Sequence, residues 1–302
     1  MVTAAKTHVK SRQSRVWTPA QIILTFVIAL FVLLCVLPFV NVIAVSLSSK
    51  SAILRGDVAL WPVEFTLSAY EAILGDSSLI YCLGYTVVIT VIYTVIAMIL
   101  TILLAYPLTK KRLMGRKFFN FVAMFTMYFS GGMIPVFLNI KQLDLYNTAW
   151  ALILPGVLST YNMIILKSFF AALPKELDEA ATIDGANDFQ ILVRIYLPLS
   201  LASIATLVLF YAVGKWNSFQ DALYYIESRK LQPLQLRLYN IIKGSTAVDV
   251  SMQEGNANSL ASEISESIES ATIMFATLPI LVVYPFVQRY FVAGVTLGAV
   301  KG

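Results

Sequence analysis

Six long apolar runs alternate with polar segments along the chain. A membrane-crossing helix needs about 20 predominantly apolar residues. The first run extends from about Gln21 to Leu47, with Pro38 as a kink or an exit from lipid. It is longer than the roughly 7–15 apolar residues of a signal-peptide core, so it predicts an uncleaved span. The others cover about 79–108, 118–140, 148–170, 199–223 and 271–291. The second and third carry no charge, and Gly131-Gly132 with Pro135 predicts a break in the third. That break is either a packing kink or a moving hinge. The pattern predicts an all-α membrane protein, with an N-terminal tail (1–20) and one membrane domain of six transmembrane helices (21–302). Residues 224–270 read as a long polar connection between the last two spans.

The polar segment 174–198, PKELDEAATIDGANDFQILVRIYLP, has the most internal order. Pro174 suits a helix start. Glu176 and Asp178 put negative charge in the first turn, where the helix dipole favours it. Asp184-Gly185 ends that helix, because glycine adopts the left-handed conformation readily. Beyond it, Phe189, Leu192, Val193 and Tyr196 recur at i, i+3, i+4 and i+7, opposite Asn187, Gln190 and Arg194. That spacing predicts a second, amphipathic helix. On these grounds alone the segment is either a wet connecting loop or a built docking surface.

Composition agrees with a polytopic membrane protein: 58% of residues are hydrophobic and 13% charged, against about 45–50% and about 25% in soluble domains. The net charge of +5 needs no nucleic acid, because the cations flank the apolar runs. Lys6, Lys10, Arg12 and Arg15 lie in the tail, and Lys110, Lys111, Arg112, Arg116 and Lys117 crowd one short loop. The positive-inside bias places both segments in the cytoplasm. Six crossings then put 174–198 and the C-terminus on that side too, and 224–270 outside. His8 is the only histidine, which leaves no Cys/His zinc cluster and no histidine-based triad. No G-x-x-x-x-G-K-[ST] run occurs, so the chain does not cradle ATP itself. Cys35 and Cys82 read as packing residues. No enzymatic chemistry, metal or cofactor of its own is expected.

Within 174–198, Glu179-Ala180-Ala181, three residues, Gly185, nine residues and Ile195-Tyr196-Leu197-Pro198 resemble the EAA motif of ABC-importer permeases. The resemblance implies the type I importer permease fold, a multi-pass protein of a prokaryotic cell membrane. It makes this segment the coupling helix, which docks in a groove of a cytoplasmic ATPase subunit. Glu179, Ala180, Ala181, Asp184, Gly185, Ala186, Phe189, Ile195, Leu197 and Pro198 are then the coupling residues. Small residues admit a partner backbone, and Glu179 can accept a charge-assisted hydrogen bond. The implied partners are a second homologous permease, two ATPase subunits that bind ATP and Mg, and an extracytoplasmic solute-binding protein.

The fifth run carries ionisable residues inside a span, which mark functional candidates. Lys215 lies about 24 Å into a core about 30 Å thick, counting from Leu199. Either it snorkels to the outer headgroups, or Tyr211, Lys215, Trp216, Asn217 and Gln220 line a substrate pathway. Asn and Gln serve sugar hydroxyls, and Trp216 offers a flat apolar face. Trp216-Asn217, LQPLQLRLYN (231–240), Pro279, Gln288-Arg289-Tyr290-Phe291, Gly294 and the closing Gly298-Ala299-Val300-Lys301-Gly302 resemble the carbohydrate, maltose-type (MalG-like) branch. That branch imports oligosaccharides, and its tail reaches the ATPase interface, so Lys301 and Gly302 are candidate contacts. Residues 244–270 depart from the maltose-type pattern and resemble the LplC/YtcP-like subgroup, associated with complex, often plant-derived oligosaccharides. They are either a solvated connection, or a docking surface for the binding protein or a wall of the cavity mouth. An importer permease for another solute, such as a peptide or amino acid, is the alternative. A channel or secondary transporter would leave the EAA motif without a purpose.

Overall fold

The structure, a computed structural model, describes residues 18–253 and 266–299, with side chains over 18–243 and 266–285. Most of the tail 1–20, part of 244–270, and the candidate contacts Lys301 and Gly302 lie outside the described residues.

Helix α1 (Pro19–Ser46) starts at Thr18, whose hydroxyl accepts from the Gln21 N–H at 3.3 Å while the Gln21 side chain accepts from the Thr18 N–H at 3.0 Å. This capping box satisfies two donors that the helix start leaves free. Short helices α2 (Lys50–Leu54) and α3 (Ser68–Gly75) lead to α4 (Ser77–Thr109), which Asp76 caps through the Ser78 N–H at 2.8 Å. Helices α5 (Arg116–Tyr128) and α6 (Met133–Gln142) replace the single span of 118–140 and are bent by 112°. Gly132 makes the break with φ at 86°, a conformation that costs glycine no Cβ clash. The run 148–170 likewise divides, into α7 (Trp150–Ile153) and α8 (Thr160–Ala172), on either side of Pro155-Gly156.

Next come α9 (Lys175–Ile183), α10 (Asp188–Ile191), a π-helical turn (Leu192–Tyr196) and α11 (Leu197–Leu199). The stretch Asp188–Leu199 meets α12 (Leu201–Trp216) at 83°. Then follow α13 (Gln220–Tyr225), α14 (Leu234–Gln253) and α15 (Glu266–Ala299). The expected polar connection 224–270 is therefore largely helical where described. Leu234, Leu238 and Ile241, at i, i+4 and i+7, turn one face of α14 into the core, and the Leu234 N–H donates to Thr86 Oγ1 at 2.8 Å.

Among the described residues the chain is helical, with no strand. Three segments, α1, α4 and Glu266–Pro285, are long and apolar enough to cross a membrane, or up to five if each bent pair counts once. The main core joins α4, α8, the π turn and α12. Ala97, Thr101 and Ala105 of α4 are wholly buried at i, i+4 and i+8. In lipid, apolar burial gives little drive for helix association, so close approach over small residues carries the packing. The Thr101 and Tyr211 hydroxyls bond at 2.7 Å inside it, sparing the roughly 1–3 kcal/mol cost of an unpaired buried group.

Candidate functional site

Helix α9 follows Pro174, which occupies the position just before it, and holds Glu176 and Asp178 in its first turn. Asp184 closes it, and Gly185 turns the chain with φ at 79°. The Ala186 N–H then reaches back to the Ala181 carbonyl at 2.9 Å. Asn187 caps α10 with a second capping box: its side chain accepts from the Gln190 N–H, and the Gln190 side chain accepts from its own N–H, both at 2.9 Å. The segment is thus a rigid elbow of two capped helices.

The π turn changes which residues face inward. A regular helix would bury Phe189, Leu192, Val193 and Tyr196 together. Instead Ile191, Leu192 and Tyr196 are buried, and Phe189 and Val193 are exposed. A π turn takes an extra residue per turn, so side chains five apart come onto one face, and such turns gather at functional sites. Phe189 is left 68% exposed and Ile183 85% exposed on the elbow's outer surface. Glu179, Ala180, Asp184, Gly185 and Pro198 are exposed beside them, while Ala181, Ala186, Ile195 and Leu197 pack partly against the core. Glu179 has no ion-pair partner among the described residues.

What holds the elbow is a feature the sequence did not single out. Lys110, just beyond α4, pairs with Asp178 of α9. Its Nζ lies 4.5 Å from the Tyr106 ring centroid, 4.6 Å from that of Tyr196 and 3.4 Å from the Tyr196 hydroxyl. Tyr106, Phe170 and Tyr196 stand edge to face with one another, with centroids 5.0 Å to 6.4 Å apart. Arg112 pairs with Asp188, whose carboxylate also accepts from the Tyr106 hydroxyl at 3.4 Å. Burial alone would pull the Lys110 ammonium down from its ordinary value. The bonds to Asp178 and Tyr106 outweigh it and hold the group above that value, hence charged. Three segments, the end of α4, α9 and the π turn, meet at this one cation, and Phe170 of α8 packs against its two rings. No local signal could have revealed a pair 68 residues apart.

The pathway candidates separate into two groups. Tyr211 is buried, with its hydroxyl bonded to Thr101 and accepting from the Ser159 N–H at 3.2 Å. The Trp216 indole N–H donates to the Ala276 carbonyl at 3.2 Å, and its ring packs among α3, α4 and α15. Lys215 reaches no surface. Its side chain is 8% exposed, with Nζ 3.4 Å from Asp221 and 5.0 Å from the Tyr93 ring centroid. Asn217 and Gln220 are exposed, and Asn217 donates to the Val213 carbonyl at 3.0 Å. Of the five candidates only these two are exposed. Cys35 and Cys82 are unbridged, and among the described residues no group of three or more metal-binding side chains occurs.

Comparison with known proteins places this geometry. The family described as "Binding-protein-dependent transport system inner membrane component" matches residues 85–297. The chain is 43% identical to the "Polygalacturonan/rhamnogalacturonan transport system permease protein YtcP" of Bacillus subtilis (strain 168), over 90% of this chain and 95% of that protein. It is 40% identical to "Protein LplC" of the same organism, over 88% and 90%. Among solved structures, a bacterial ABC transporter involved in the import of the acidic polysaccharide alginate superposes with a TM-score of 0.81 at 31% identity, covering 91% of this chain and 99% of that one.

Proposed function

The chain belongs to the binding-protein-dependent transport system inner membrane components, and from that premise we propose that it is one of two permease subunits of an importer for oligosaccharides, acidic ones among them. As a multi-pass ABC-importer permease it performs no bond chemistry. Two cytoplasmic ATPase subunits supply the motor, binding ATP and Mg, and an extracytoplasmic binding protein delivers the sugar. The related permeases named for polygalacturonan and rhamnogalacturonan, and the alginate importer structure, favour saccharides over peptides or amino acids.

The observation that carries the mechanism is the elbow 174–198: exposed apolar and acidic residues outside, a buried clasp inside. In the orientation we propose, that end and both termini face the cytoplasm, with the basic loop 109–117 beside the elbow. Glu179, Phe189 and the small residues Ala180 and Gly185 meet the ATPase groove. Lys110 and Arg112 pass its movement to α4. ATP closure must favour one arrangement over the other, since only differential affinity shifts an equilibrium. Asn217 and Gln220 present the pathway here; Lys215 joins it only if α12 and α13 part, and Tyr211 and Trp216 only if α12 leaves α4 and α15.

The test is Glu179→Lys in the assembled transporter, reconstituted in proteoliposomes with the binding protein. A charge-assisted hydrogen bond is worth about 1.5–3 kcal/mol, so uptake should fall roughly tenfold or more. The two permeases should still copurify. Full uptake of labelled oligogalacturonide by the variant would remove Glu179 from the coupling role.

A further inference from the structure

The clasp does not use up the positive charge at its end of the molecule. Lys167 of α8 donates to Asn120 Oδ1 of α5, and Asn120 Nδ2 donates to the Arg116 carbonyl at 2.7 Å. The Arg116 guanidinium is near enough to oppose the Lys167 charge. Neither cation has an ion-pair partner among the described residues. Residues 1–17 contain no Asp or Glu that could supply one. Arg116 also lines a cleft of about 440 Å³, together with Lys111 and Lys175. Asp178 faces the cleft but is taken by Lys110, which leaves Glu179 as the one unpaired acid in the lining. The exposed Phe118, Phe121 and Phe125 lie on the side of α5 away from Arg116.

Like charges crowded where the spans end call for an anion. Arginine suits phosphate by its forked donors, and basic pockets between helices on the cytoplasmic side bind anionic headgroups. We propose that the cleft between the 109–116 loop, the end of α8 and α9 seats the phosphate headgroup of an anionic phospholipid. Arg116 and Lys111 hold the phosphate, Lys167 adds charge from behind, and the acyl chains run from the cleft into the bilayer. The inference rests on the orientation proposed above. Because α9 forms one wall, an occupied seat steadies the elbow, and coupling depends on the lipid.

The experiment uses the whole transporter in nanodiscs of phosphatidylcholine, with or without phosphatidylglycerol. Native mass spectrometry reads retained lipid, and substrate-stimulated ATP hydrolysis reads coupling. Wild type should retain phosphatidylglycerol and hydrolyse ATP several-fold faster with it. Arg116→Gln with Lys167→Gln should lose both effects, whereas Lys230→Gln, exposed at the opposite end, should lose neither. Should the double variant fail to assemble, Lys111→Gln gives the reading on an exposed side chain, with partial loss expected. Equal lipid retention in variants and wild type would overturn the seat. So would displacement of the lipid by glycerol 3-phosphate, which would make the ligand a soluble phosphate ester, or by the ATPase subunits, which would make it a protein carboxylate. Retained lipid in a complex that imports no saccharide would leave the seat standing and remove the importer reading instead.

Discussion

Two lysine–aspartate pairs rest against tyrosines of the same helix, and they differ in what they join. Lys110 and Lys215 have similarly buried side chains, 10% and 8% exposed, and their aspartates are 30% and 32% exposed. Their α4 partners, Tyr106 and Tyr93, lie about 20 Å apart along the helix axis. Lys110 is held by Asp178, by two rings and by a hydroxyl, from segments far apart in sequence. Lys215 has one ring and one carboxylate six residues away, at 3.4 Å. That is beyond the 2.7–3.2 Å of a good hydrogen bond. The same chemistry thus draws its carboxylate from 68 residues away at one end and from six residues away at the other. A joint that transmits force must tie elements which would otherwise move apart, and a contact that opens must be easy to replace.

The sharpest way to break this comparison is Lys110→Ala. Removing one partner of a buried pair costs roughly 3–5 kcal/mol. The partial exposure of Asp178 puts the expected loss at the low end, about 3 kcal/mol. Thermal unfolding of the purified complex should shift down accordingly, and ATP hydrolysis should persist with little uptake. Exchanging the charges, Lys110→Asp with Asp178→Lys, should recover part of the stability but less of the coupling, since aspartate cannot sit over the two rings as a cation does. Unchanged uptake per ATP in Lys110→Ala would make the clasp a simple packing contact.

The contrast also explains what the sequence could and could not disclose. The elbow was legible because its break is local: Asp184-Gly185 lies directly after the helix it ends, whereas Asn187 and Gln190 read as a polar face and prove to be a cap. The apolar runs of α1 and α4 were legible through length. The π turn was not, since nothing in LVRIY distinguishes it from a regular turn, and so the stripe of Phe189, Leu192, Val193 and Tyr196 divides between an exposed and a buried face. The helical face of α14 was visible as Leu234, Leu238 and Ile241, but the polar residues that follow masked it. Lys110 with Asp178 and Trp216 with Ala276 depend on how distant segments meet, which no spacing along the chain encodes. The basic loop therefore read only as a topological signal.

A smaller effect sharpens the outer half of the comparison. If the Lys215 contact is exchangeable, a uronate carboxylate can take the place of Asp221. Lys215→Met should then weaken uptake of galacturonate oligosaccharides by about tenfold, the worth of one charge-assisted hydrogen bond. Uptake of neutral oligosaccharides should change by less than about twofold. Competition uptake in proteoliposomes measures both together. Equal losses for the two classes would make Lys215 a staple between α12 and α13, no more exchangeable than Lys110.

The smallest effect comes from a third pair, which shows what the same groups contribute when wet. Glu64 accepts from Arg55 at 2.6 Å, from Ser51 at 2.7 Å and from Ser49, all on an exposed turn between α1 and α4. Those bonds, the serine hydroxyls first and then the guanidinium, hold its carboxyl down at about 2, from an ordinary 4.5. The sign follows from the depressed value: the carboxylate supports the turn fully above pH 4.5, and the support fades as pH falls toward 2. Exposed pairs of this kind contribute little to global stability. Acidification through that window should therefore lower amide protection, the exchange rate taken relative to the intrinsic rate at each pH, only locally, at residues such as Ala52 and Val63, without lowering the unfolding temperature. Glu64→Gln should show the faster exchange already at neutral pH and lose its acid dependence. A drop in global stability for Glu64→Gln comparable to that of Lys110→Ala would mean that burial is not what separates a structural joint from a surface contact in this protein.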